Sequence, residues 1–73
     1  MKIDVRKLEY QDNGTRRTYT FSNGNIAVES LNLPGHARFI FYDRYGNTIY
    51  MAPMRVAMKR AIERHKKQWR VKP

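Results

Sequence analysis

Pro53-Met54-Arg55-Val56-Ala57-Met58-Lys59-Arg60-Ala61-Ile62-Glu63-Arg64-His65-Lys66-Lys67-Gln68-Trp69-Arg70 is the stretch whose reading decides the fold. Met54, Ala57, Met58, Ala61, Ile62, His65 and Trp69 recur at spacings of three and four, which places them on one face of an α-helix. Arg55, Lys59, Arg60, Glu63, Arg64, Lys66, Lys67 and Arg70 fall elsewhere on the cylinder. Proline suits the first helical position, because it lacks the N–H that a first turn leaves unpaired and already holds a helical φ. The spacing predicts one amphipathic helix over 53–70. Its apolar stripe needs a surface, and only the residues before it can supply one.

Working back from the helix, those residues read as short strands joined by turns. Thr48 to Met51 predicts a strand with Ile49 and Met51 inward and Tyr50 outward, leading into the helix with almost no loop. Arg44-Tyr45-Gly46-Asn47 reads as a hairpin turn. Ala37 to Asp43 carries Phe39 and Phe41 on one face and Arg38, Ile40 and Tyr42 on the other, the pattern of a central strand. Leu33-Pro34-Gly35-His36 predicts a type II turn. Ile26 to Leu33 reads as a strand rich in β-formers; a short helix with Asn25 as N-cap is the alternative.

Ser22-Asn23-Gly24-Asn25 and Asp12-Asn13-Gly14 are turn signals around a second strand. That strand sets Arg17, Tyr19 and Phe21 against Arg16, Thr18 and Thr20. In the first strand the apolar parity switches between Ile3/Val5 and Leu8/Tyr10, so a β-bulge near Arg6-Lys7 is needed to restore one face. The expected architecture is α+β: a single domain over 1–73, with an antiparallel β-meander of four or five strands (2–52) and a C-terminal amphipathic helix packed on one face. The expected core is Val5, Leu8, Tyr19, Phe21, Ile26, Val28, Leu31, Phe39, Phe41, Ile49, Met51, Met54, Met58, Ala61 and Ile62, with Trp69 at its margin.

Seventy-three residues without cysteine give a thin core that packing must hold alone or with the help of an oligomer, with neither a disulfide framework nor a thiolate metal site. Met1-Lys2-Ile3-Asp4 holds no apolar run, so neither a signal peptide nor a membrane span is expected; cytoplasmic localisation follows as the expectation. Charge is more informative. From Pro53 onward eight lysines and arginines face the single acid Glu63, a net +7 out of +9 for the chain. Such asymmetry fits a polyanionic partner.

Lys59, Arg60, Arg64, Lys66, Lys67 and Arg70 are the candidate phosphate-backbone contacts, with Arg16, Arg17, Arg38 and Tyr42 as secondary contacts on or near the sheet. Tyrosines flanked by arginine can stack unpaired bases, although tyrosine is also simply a good strand former. A solvated face with Lys59–Glu63 and Glu63–Lys67 pairs is the bland account of the same helix. The second functional expectation is a small accessory or inhibitor protein, as from a phage or mobile element. It would bind an acidic surface of a larger nucleic-acid-handling complex through a buried anchor such as Trp69 or Tyr45. A third is a ribonuclease-type toxin using His36 or His65, but no catalytic signature places these imidazoles together. Two histidines without cysteine make a poor ligand set, so no metal and no cofactor are expected. A sheet face left uncovered by one helix would need a partner or a second copy of the chain. The order of a short sheet and then one helix resembles small DNA-binding domains that lay a three-stranded sheet in the major groove, a likeness of architecture without a motif.

Overall fold

Four strands form an antiparallel meander in the order β1 (Val5–Gln11), β2 (Arg16–Phe21), β3 (Ile26–Ser30) and β4 (Phe39–Tyr42), and one helix, α1 (Ala52–Val71), packs on one face. The computed structural model describes residues 3–71; the side chains of His36, Trp69, Arg70 and Val71 lie outside that description. The expected start of the sheet at Lys2 is likewise outside the described residues. The small α+β architecture is the one the sequence predicts.

Local chemistry explains the first hairpin. Asp12, Asn13 and Gly14 take left-handed φ values of 52°, 59° and 86°, which Asn and Gly tolerate best, and Thr15 N–H donates back to the Asp12 carbonyl. Val5 lies opposite Phe21 but Lys7 lies opposite Thr20, so Arg6 is the extra residue of a bulge. Ile3, Val5 and Leu8 therefore share the helix-facing side, as the parity switch requires.

Three expectations are corrected. In β3 the residues under the helix are Ala27 and Glu29, while Ile26 and Val28 face away with Leu31 outside the strand. The register is the cause: Tyr19 and Phe21 fix the inner face of β2, Tyr19 pairs with Ala27, and Ile26 and Val28 pair with Thr20 and Thr18. Gly35 takes no left-handed φ, so Pro34-Gly35 makes no type II turn; Gly35–Ala37 forms a 3₁₀ turn with Ala37 N–H donating to the Pro34 carbonyl. Finally, β4 is not a central strand. Thr48 forms one bridge to Tyr42 and Ile49 N–H donates to the Phe41 carbonyl, after which the chain turns into α1 without a full fifth strand. Met51 is 75% exposed: pairing with the sheet ends at Thr48 and Ile49, so strand alternation does not carry on to place it inward, and its carbonyl accepts from Arg55 N–H at the helix start.

The buried core joins Ile3, Tyr19, Phe21, Ala27 and Phe41 of the sheet to Met58, Ala61 and Ile62 of α1; Val5, Leu8, Phe39, Ile49, Met54 and Ala57 pack around it. The opposite sheet face carries Thr18, Thr20, Ile26, Val28, Ser30, Ile40 and Tyr42 and is covered by no other described element. Among the described residues no helix is long and apolar enough to cross a membrane.

Candidate nucleic-acid interface

Basic residues of α1 divide by direction. On the flank toward β4, Lys66 reaches under the helix and its Nζ donates to Glu29 Oε2 at 3.0 Å. Glu29 is only 2% exposed, and its other oxygen accepts from the Tyr19 hydroxyl at 2.7 Å, with Arg17 Nη1 3.7 Å away. Burial, and then the hydrogen bond to Glu29, push the Tyr19 phenol well above its usual range. Glu29 thus binds two cations that the sequence places among the candidate contacts. Neither Arg17 nor Lys66 lies on the outward ridge.

On the flank toward β1, Arg64 Nη2 donates to the Ile3 carbonyl at 2.8 Å and lies 3.6 Å from Asp4. This ties the N-terminal segment to α1 and leaves the guanidinium half-exposed. Lys59, Arg60 and Lys67 are exposed, Lys59 at the margin of the ridge nearest β4, and none has an acidic partner within ion-pair distance among the described residues. Glu63 shares their exposed ridge. The helical positions of Trp69 and Arg70 extend the same element, but their side chains are outside the described residues.

The remaining candidates are dispersed by the sheet. Arg16 and Tyr42 share a shallow depression on the open face with Gln11, Thr18, Val28, Ser30 and Ile40, and Arg16 pairs with Asp12 at 3.5 Å. Tyr10 and Arg17 belong to the other face, where the guanidinium lies 5.8 Å from the ring centroid. Arg38 folds back to donate to the Leu33 carbonyl from Nε and Nη2, both at 3.3 Å. Tyr45 sits in the turn after β4 with Arg44 5.0 Å from its ring, and is exposed as a surface anchor would be. Asp43 shapes that turn: the Asn47 and Tyr45 N–H groups donate to its carboxylate, the Asn47 bond foremost in holding it below the ordinary value of 3.8.

His65 lies half-buried in a shallow pocket lined by Asp4, Val5, Ala61, Arg64 and Gln68, while the side chain of His36 is outside the described residues. Among the described residues no three His, Cys, Asp or Glu groups gather as a metal site would require.

Sequence reasoning missed two features. Glu29 as an interior counter-ion was signalled by the hairpin register, since the inner parity of β2 fixes that of β3. The groove between the β4 edge and α1, lined by Gly35, Phe39, Phe41, Ala52, Arg55, Val56 and Lys59, follows from β4 lying at the edge. Phe39 and Phe41 stack there with centroids 5.8 Å apart, and Arg55 lies 5.6 Å from the Phe41 ring.

The chain matches no family model, no curated protein and no solved structure.

Proposed function

We propose that the protein is a small non-enzymatic module that binds nucleic acid through the phosphate backbone, using the outward ridge of α1. The observation that carries this reading is the division of the basic residues. Glu29 and Asp4 occupy Lys66, Arg17 and Arg64, yet Lys59, Arg60 and Lys67 remain directed at solvent with only Glu63 beside them. Their positions follow one side of a 20-residue helix, so three charges can meet phosphates of one backbone without ordering a loop. Arg64 can add a fourth contact from its exposed half.

The test is a salt titration of binding to a duplex DNA and to a single-stranded oligonucleotide. Each phosphate neutralised on duplex DNA contributes about −0.9 to the slope of log K against log salt. Arg60→Gln with Lys67→Gln should therefore flatten the slope by about 1.8 and weaken binding for all base sequences alike. An unchanged slope in the double variant, or no binding by the unaltered protein at low salt, would rule the reading out.

A further inference from the structure

The outer edge of β4 is open at its Phe39 end, beside a basic, apolar groove, while its Phe41–Tyr42 end is taken by Thr48 and Ile49. Arg38, Ile40 and Tyr42 belong to the hydrogen-bonded side of the β3 pairing, as the bond from Ser30 N–H to the Arg38 carbonyl and the register Val28↔Ile40 and Ile26↔Tyr42 require. The alternate residues Phe39 and Phe41 thus direct their backbone groups outward. Ile49 N–H occupies the Phe41 carbonyl at 2.7 Å; among the described residues none bonds the Phe39 N–H or carbonyl on that side. An edge of this kind is a template for one more strand.

The groove alongside has a volume of about 250 Å³. That is below the roughly 300–1,000 Å³ of small-molecule sites and suits one or two side chains. Its walls are apolar at Phe39, Phe41 and Val56 and cationic at Arg55 and Lys59.

We propose that this edge and groove bind an extended acidic segment of a partner protein, which adds a strand to β4, sets an apolar side chain against Phe39 and Phe41, and places a carboxylate two residues along against Arg55 and Lys59. Two residues apart on a strand share a face, so both contacts come from one side of the segment. Charge selects this occupant over a second copy of the chain. Pairing two β4 edges would bring two Arg55/Lys59 sets together, and like charges without counter-ions oppose that contact. The opposite edge, on β1, is blunted by the Arg6 bulge and by Lys7 and Glu9.

The experiment uses the full chain, isotopically labelled, and a capped octapeptide in which valine and glutamate alternate on one strand face with threonine on the other. Amide shifts should change at Phe39, Ile40 and Val56, and hydrogen exchange of Phe39 N–H should slow at least tenfold at saturation. N-methylating the peptide at alternate residues in each of the two phases should weaken binding at least tenfold in one phase only, because only one set of N–H groups faces β4. Arg55→Glu should reverse the preference between this peptide and its lysine-for-glutamate counterpart. Equal binding by both N-methylated forms, shifts confined to Arg60 and Lys67, or Phe39 protection by an oligothymidylate of equal charge would overturn the assignment. So would concentration-dependent protection of Phe39 without peptide, which would identify a second copy as the occupant. Since Arg60 and Lys67 lie outside the groove, these readouts are independent of the nucleic-acid titration.

Discussion

Removing the Glu29 carboxylate would leave Lys66 and Arg17 beside an apolar interior without their counter-charge. Breaking a fully buried pair costs about 3–5 kcal/mol. Here both cations are partly exposed and can turn their heads to water, so Glu29→Ala should destabilise by about 2–3 kcal/mol, read as the shift in a urea transition. Glu29→Gln combined with Lys66→Met should recover part of that loss, because it removes the cation as well as the charge it faced while an amide oxygen still accepts from Tyr19; no recovery would place the cost in packing instead. Asp43 acts with the opposite exposure. Its carboxyl is held low in the folded state, so its contribution is present above the unfolded value and fades as pH falls through the folded one. Asp43→Asn keeps an oxygen for the Tyr45 and Asn47 N–H groups but loses the charge. The stability gap between variant and unaltered protein should therefore be widest near pH 6 and shrink below about pH 4, in urea transitions compared across that range. An unvarying gap would show that charge is not what shapes the turn.

The elements differ in how much a single residue can disturb them, and β1 gives the sharpest case. Arg6 is the residue without a partner in the register, so deleting it leaves Ile3, Val5 and Leu8 alternating regularly on the helix-facing side. The deletion should keep a cooperative transition within roughly 1–2 kcal/mol of the unaltered protein, whereas deleting Thr18 from β2 should abolish folding, because it moves Arg17 and Tyr19 to opposite faces. Circular dichroism during urea unfolding distinguishes the two. The same register logic explains what was legible in the sequence. The bulge could be read because two apolar pairs with opposed parity admit one repair, and α1 because seven residues repeat at helical spacing. The inner face of β3 could not be read from its own residues, since Ile26 and Val28 are more apolar than Ala27 and Glu29. Tertiary pairing with β2 overrides local hydrophobicity there. Ion-pair commitment was equally hidden: Lys66 and Lys67 are adjacent in sequence, and only the position of Glu29 across the sheet turns one inward.

At the scale of the whole molecule a net charge of +9 on 73 residues opposes compaction, and its concentration in the last 21 residues makes α1 the place where the repulsion is greatest. Glu29 and Asp4 relieve it on the flanks of α1, leaving the outward ridge with Glu63 alone. Anything that neutralises the ridge in the folded state therefore contributes to folding as well as to binding. A polyanion bound to the folded form at 100 times its dissociation constant adds about 2.7 kcal/mol, and a domain of this size gains about 4–8 °C in midpoint per kcal/mol. Polyphosphate or duplex DNA at low salt should raise the thermal midpoint by about 10 °C or more, while sodium chloride from 20 to 200 mM should raise it less, through screening of the repulsion between exposed cations. Both effects should shrink in the Arg60→Gln, Lys67→Gln variant, and the polyanion effect should disappear as salt approaches 0.5 M. If the midpoint rises equally in the variant, the stabilising anion is held elsewhere, and the ridge is a solvated face.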